Sequence, residues 1–153
     1  MKENIYLEAL KNIGSLVEGE MDLIAVMSTI SCELYHAFEY FSWVGFYRRI
    51  DEKILKVGPY QGTHGCLTIP VEKGVCGKCA REGETQIEND VRGIPHHIAC
   101  SNDTRSEIVI PIKDGEKNVR AVLDIDSMEI NRFDEIDQKY LNKICEYVSE
   151  RFI

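Results

Sequence analysis

Four of the six cysteines, Cys66, Cys76, Cys79 and Cys100, fall in one stretch, CLTIPVEKGVCGKCAREGETQIENDVRGIPHHIAC, and His64, His96 and His97 lie on it or just before it. Cysteine is usually buried singly as a small apolar residue. Four together, separated by Gly74, Gly77, Gly83, Gly93 and Pro95, therefore point to thiol chemistry rather than packing. Two of them have a local reason to react. Cys76 stands at the head of a short helix expected from Gly74 through Ala80, where unpaired N–H groups and the positive end of the helix dipole favour a thiolate. Cys100 lies in a polar loop behind His96 and His97, and an imidazolium or a set of turn amides there would also lower its pKa. On these grounds either thiol is a candidate nucleophile, against the plainer reading that a single loop cysteine simply packs.

A second group is acidic. In VRAVLDID, Asp124 and Asp126 alternate along a strand otherwise made of Val122, Leu123 and Ile125, so both carboxylates project from one face. Glu107 opens the neighbouring strand and could join them. Carboxylates in so apolar a segment are costly unless they meet a cation, a metal or a substrate group. Trp43, Phe46 and Tyr47 could wall a small apolar pocket, although an aromatic strand is more often ordinary core. The competing chemistry is zinc, with the Cys76–Cys79 CxxC pair completed from His64, Cys66, His96, His97 and Cys100. A zinc ribbon needs a second CxxC, which the chain lacks, so no metal is expected.

The frame that must hold these groups is a chain of 153 residues with a formal charge of −8, enough for a single domain over 1–153 with a real core. The negative balance argues against nucleic acid and anionic lipid as partners. The start lacks a signal-like apolar run and no stretch approaches the length of a spanning helix, so the expected location is the cytoplasm, a reducing compartment where clustered cysteines are catalytic, redox-active or metal-binding. Ile5, Ala9, Leu10, Ile13, Leu16 and Val17 recur at helical spacing until Gly19 and Asp22, and Met27, Ile30, Leu34, Phe38 and Phe41 mark a second helix with Cys32 beside its stripe. Residues 42–50 and 54–60 read as a hairpin, 67–71 and 85–88 as short strands, and 107–113 with 119–126 as a hairpin through DGEKN. A last helix carries Phe133, Ile136, Tyr140, Leu141, Ile144, Val148 and Phe152, with Cys145 as core. Helices at both ends around a run of hairpins predict an α+β fold with a mainly antiparallel sheet of about six strands, and the loop over 89–106 is the expected place of the site.

Taken together, SWVGFY, GPYQG, the IPVEKGVCG run, NDV followed by HIAC, SEIVIPI and VLDIDS resemble the GAF-domain free methionine-(R)-sulfoxide reductases over residues 43–127. The resemblance implies a GAF-like fold and a thiol-dependent oxidoreductase that turns free L-methionine-(R)-sulfoxide into methionine without a cofactor. It assigns Cys100 the catalytic role and Cys66 and Cys76 the recycling roles, leaving open which resolves first. Glu107, Asp124 and Asp126 match residues that engage the substrate, and Trp43 with Tyr47 match the wall for its methyl group. Cys79 departs from the pattern. The chemistry is consistent: a thiolate attacks sulfur, an acid protonates the departing oxygen, and the resulting sulfenic acid is resolved by a second thiol. The disulfide is then reopened by an external, thioredoxin-like dithiol. For a free amino acid the acidic group would hold the ammonium, and backbone amides around Ile98, Ala99 and Cys100 the carboxylate. GAF relatives often pair through their terminal helices, which leaves a homodimer open. The alternative is a non-enzymatic GAF sensor of a small molecule or of redox state; such a domain normally precedes an output domain, and the chain's ending at its last helix favours the enzyme.

Overall fold

The computed structural model describes residues 1–95, 97 and 100–153. One six-stranded antiparallel sheet runs through the molecule in the order β3-β2-β1-β6-β5-β4. Its strands are β1 (Trp43–Arg49), β2 (Ile54–Gly62), β3 (Thr68–Pro70), β4 (Gln86–Glu88), β5 (Ser106–Lys113) and β6 (Val119–Ser127). Three helices, α1 (Lys2–Leu16), α2 (Leu23–Ala37) and α4 (Glu135–Phe152), enclose the core on one face, and α3 (Gly74–Glu82) packs on the other against β5 and β6. Among the described residues no helix is long and apolar enough to cross a membrane.

The elements form where local chemistry calls for them. Asp22 caps α2 by accepting from the Ala25 N–H at 3.0 Å, and Asp134 and Asp137 form a reciprocal capping box at the start of α4. Asp137 is fully buried, and it accepts from Tyr6 Oη at 2.6 Å and Lys2 Nζ at 2.7 Å, tying the first turns of α1 and α4 together. That tie also turns α1. The expected stripe included Ile5 and Leu16, but Tyr6 takes the central position with Ala9, Ile13 and Val17, leaving Ile5 and Leu16 exposed. Cys145 is core as expected, whereas Cys32 is only half-buried, its Sγ 3.7 Å from His36 Nδ1 one turn on.

Two glycines are steric requirements. A Cβ on Gly45 would lie 2.4 Å from Tyr60 Cβ and 2.5 Å from Trp43 Cη2, so the Trp43 indole can lie along β1 only because Gly45 leaves the space. A Cβ on Gly77 would sit 2.6 Å from the Val71 carbonyl oxygen, so the glycine inside CGKC lets α3 press onto the turn before it.

Candidate active site

The site grows out of the pairing of β5 with β6. Register sets Glu107 opposite Asp126 and Val109 opposite Asp124, and period-2 alternation turns Glu107, Asp124 and Asp126 to the α3 side while Ile108, Ile110, Leu123 and Ile125 enter the helical core. The three carboxylates that the sequence pointed to thus meet in a cavity of about 710 Å³, with Asp124 only 5% exposed. Their neighbours are sparse. His97 Nε2 lies 3.9 Å from Glu107 Oε1, and Thr104 Oγ1 donates to Asp126 Oδ2 at 3.4 Å. Neither Asp124 Oδ1 nor Asp126 Oδ1 has a hydrogen-bond partner among the described residues.

Burial and mutual repulsion push the Asp124 and Asp126 carboxyls well above the usual range; for Asp124 burial comes first and the Asp126 charge next. Burial works against ionisation of Glu107 too, but the close approach of Asp124 and His97 outweighs it and brings its pKa down. Three carboxylates at this spacing do not all ionise. Burial and neighbouring charge thus divide the group, pushing Glu107 toward the carboxylate and Asp124 and Asp126 toward the carboxylic acid.

The cavity wall is aromatic. Trp43 stacks on Tyr47 with ring centroids 5.6 Å apart and on Tyr60 at 5.1 Å, and its Nε1–H donates to the Thr63 carbonyl at 2.9 Å. Tyr47 Oη donates to the Cys66 carbonyl at 3.1 Å, holding the cysteine-bearing segment against the wall. Phe46, grouped with these two in the sequence reading, points through the sheet into the helical core, as its place between Gly45 and Tyr47 dictates.

Cys66 and Cys100 are joined in a disulfide with Cα atoms 5.2 Å apart, and Cys100 lines the cavity. Cys76, Cys79, Cys32 and Cys145 are free. Cys76 also faces the cavity, but it is buried, and burial followed by the Asp124, Glu107 and Asp126 charges pushes its thiol well up. The expectation of a thiolate at the helix head therefore fails for Cys76. A helix end contributes only about 0.3–1 kcal/mol, which desolvation and three nearby acids exceed. Cys79 is fully buried against β5, its Sγ donating to the Val109 carbonyl at 3.7 Å, and packs as a small apolar residue.

Of the zinc set considered in the sequence, Cys66 and Cys100 are bonded to each other and so are not available as metal ligands in this form. His96, Ile98 and Ala99 lie outside the described residues, so the backbone cradle expected at Ile98 and Ala99 stays an expectation. The cavity extends past the expected residues to a rim formed by Tyr40 and Arg132, with the Arg132 guanidinium 4.8 Å from the Tyr40 ring centroid and paired with Glu129 at 2.5 Å. Nothing in the local sequence marks these rim residues, which come from segments distant in the chain.

A GAF domain profile matches residues 22–150. The chain belongs to the GAF-domain family that includes the free methionine-R-sulfoxide reductases. Protein YtsP of Bacillus subtilis is 43% identical, covering 95% of this chain and 89% of its own length. The free methionine-R-sulfoxide reductase of Saccharomyces cerevisiae is 36% identical, covering 97% and 86%. The X-ray structure of free methionine-R-sulfoxide reductase from Neisseria meningitidis in complex with its substrate superimposes with a TM-score of 0.93 at 38% identity, over 99% of this chain and 90% of that one.

Proposed function

We propose that this GAF domain reduces free L-methionine-(R)-sulfoxide to methionine, with Cys100 as nucleophile and Cys66 as its resolving partner. One observation carries the reading: the Cys66–Cys100 bridge stands at a cavity whose other surfaces are the Trp43–Tyr47 wall and the buried Glu107, Asp124 and Asp126 group. The named relatives supply the substrate class.

In the reduced protein the Cys100 thiolate attacks the sulfoxide sulfur while the methyl group rests against Trp43. Asp124 or Asp126, held protonated by burial, donates a proton to the sulfoxide oxygen, which becomes a leaving group on sulfur. The oxygen passes to Cys100 as a sulfenic acid and methionine is released, so that the substrate sulfur gains two electrons and the cysteine sulfur loses two. Cys66 then attacks the sulfenic sulfur, expelling water and forming the disulfide. An external dithiol of the thioredoxin type reopens it by exchange. Glu107, the ionised member of the group, is placed to receive the substrate ammonium. The mechanism uses one domain over residues 1–153 and a reducing compartment such as the cytoplasm.

The experiment is incubation with resolved sulfoxide epimers and dithiothreitol, with methionine as the readout. The R epimer of the free amino acid should be consumed, and the S epimer and a peptide-internal sulfoxide should react far more slowly. Equal rates on both epimers, or on the peptide, would remove the basis for the reading.

A further inference from the structure

In the proposed cycle Cys66 and Cys100 exchange electrons, while Cys76 remains a free buried thiol at the same cavity. Its Sγ and one carboxylate oxygen from each of Glu107 and Asp124 lie within 4.8 Å of one another. Asp124 is 5% exposed, and its Oδ1 points to no hydrogen-bond donor among the described residues. Nor does Asp124 form an ion pair among them; the approach of His97 is to Glu107. A thiol and two carboxyl groups from three elements, α3, β5 and β6, therefore converge with one acceptor oxygen unsatisfied. Groups buried this way are stable only against a proton or a cation.

We propose that Cys76, Glu107 and Asp124 form a binding site for a divalent cation of borderline softness, zinc(II) being the type. The donor set makes the choice. A thiolate is a poor ligand for magnesium or calcium, two carboxylates are poor ligands for copper(I), and zinc(II) accepts both. Zinc bonds of about 2.3 Å to sulfur and about 2.0–2.2 Å to oxygen place ligand atoms of a tetrahedron roughly 3.3–3.7 Å apart. The group must therefore close by at most about 1–1.5 Å on taking up the cation, through side-chain adjustment of its three members. Asp126, on the same strand face, or a water completes the coordination. As the cation enters, the Cys76 thiol proton and any carboxyl proton leave to solvent, and no electron moves.

Because Cys76 takes no part in the Cys66–Cys100 bridge, its thiol is available to the cation whether or not that bridge is formed. Its occupant stands on the carboxyl groups assigned to the sulfoxide, so zinc competes with substrate. That consequence rests on the proposed function, whereas binding itself does not.

The test uses the full chain in its disulfide form, stripped of metal, with Cys32→Ser to remove the thiol beside His36 on α2. Oxidation withdraws Cys66 and Cys100, so a thiolate-to-cobalt charge-transfer band on titration with Co²⁺ reports the remaining thiols. One equivalent should develop the band and Zn²⁺ should abolish it. Cys76→Ser should lose the band, Glu107→Gln and Asp124→Asn should weaken Co²⁺ binding at least tenfold, and Cys79→Ala and Cys145→Ala should keep it. In the reduced chain Zn²⁺ should raise the apparent KM for sulfoxide with kcat unchanged. Absence of the band, or its survival in Cys76→Ser, overturns the site. Circular dichroism checks the folding of each variant, and if an acidic-group variant does not fold, the near-isosteric Cys76→Ser decides. Cobalt ligation by a protein that reduces no sulfoxide would overturn the proposed function and leave the site standing; sulfoxide reduction without the band would do the reverse.

Discussion

The two faces of the sheet are built from the same strands and behave as different materials. Toward α1, α2 and α4, strands β1, β5 and β6 present Val44, Phe46, Ile108, Ile110, Ile112, Leu123 and Ile125, all buried in one apolar cluster. Toward α3, the residues between them include Trp43, Tyr47, Glu107, Asp124 and Asp126 around a cavity. One residue of offset separates a side chain packed in the apolar core from one that faces the cavity. The helical face can therefore carry the cost of a reactive face whose acids are buried and partly unsatisfied.

Breaking the reactive face should give the largest effect. Cys100→Ser should yield no methionine in a single turnover without reductant, whereas Cys66→Ser should yield close to one equivalent and then stall, since only the attacking sulfur is needed for the first product. A full equivalent from Cys100→Ser would mean that another thiol attacks.

Next comes Asp124→Asn, which separates the two faces most sharply. If Asp124 rather than Asp126 is the proton donor, kcat should fall by roughly 10²–10⁴-fold, and a kcat close to the parent's assigns the proton to Asp126. Stability should move the other way. A carboxyl whose folded pKa lies above its unfolded value contributes most below the unfolded pKa, and that contribution is lost as pH rises toward the folded pKa. The variant should therefore be more resistant to urea than the parent at neutral pH, with the difference vanishing below about pH 4. A variant that is both inactive and less stable at neutral pH would place Asp124 on the structural side of the comparison.

On the helical face, Leu123→Ala, one residue from Asp124, should cost about 2–5 kcal/mol in urea unfolding with little change in KM for the folded fraction. A large KM change would show that the faces are mechanically coupled. The smallest effect is expected at Cys79, which lies on the reactive side but behaves as core. Cys79→Ala should cost on the order of 1 kcal/mol and leave the steady-state rate unchanged. Mass mapping after one equivalent of sulfoxide should find Cys100 joined to Cys66 and Cys79 still alkylatable.

Much of this was legible in the chain. Alternation in VLDID placed both aspartates on one face, and the DGEKN hairpin supplied the partner strand that brings in Glu107. Gly74 and Gly83 bracketed α3, with Gly83 in the left-handed region at φ +67°. The departures from local expectation share one physical cause. Helical spacing gives a stripe without its exact rotation, so the Tyr6–Asp137 contact across 131 residues could not be foreseen and Ile5 and Leu16 were assigned inward. Cys32, beside the stripe of α2, stands half-buried next to His36 for the same reason. The helix-head argument for Cys76 was locally sound, but the acids that oppose it come from β5 and β6.

By itself the sequence determined the order of elements, the side of each strand on which its residues fall, and the set of thiols and carboxyls available, because these follow from local geometry and periodicity. Tertiary structure decided which thiols meet. Cys66 and Cys100 are 34 residues apart in the chain and bonded in space, while Cys76, closer to Cys66 in sequence, is held among Glu107 and Asp124. Proton affinities went the same way. Burial and neighbouring charge set them, and both are properties of what surrounds a group after the sheet has closed rather than of the residues beside it along the chain.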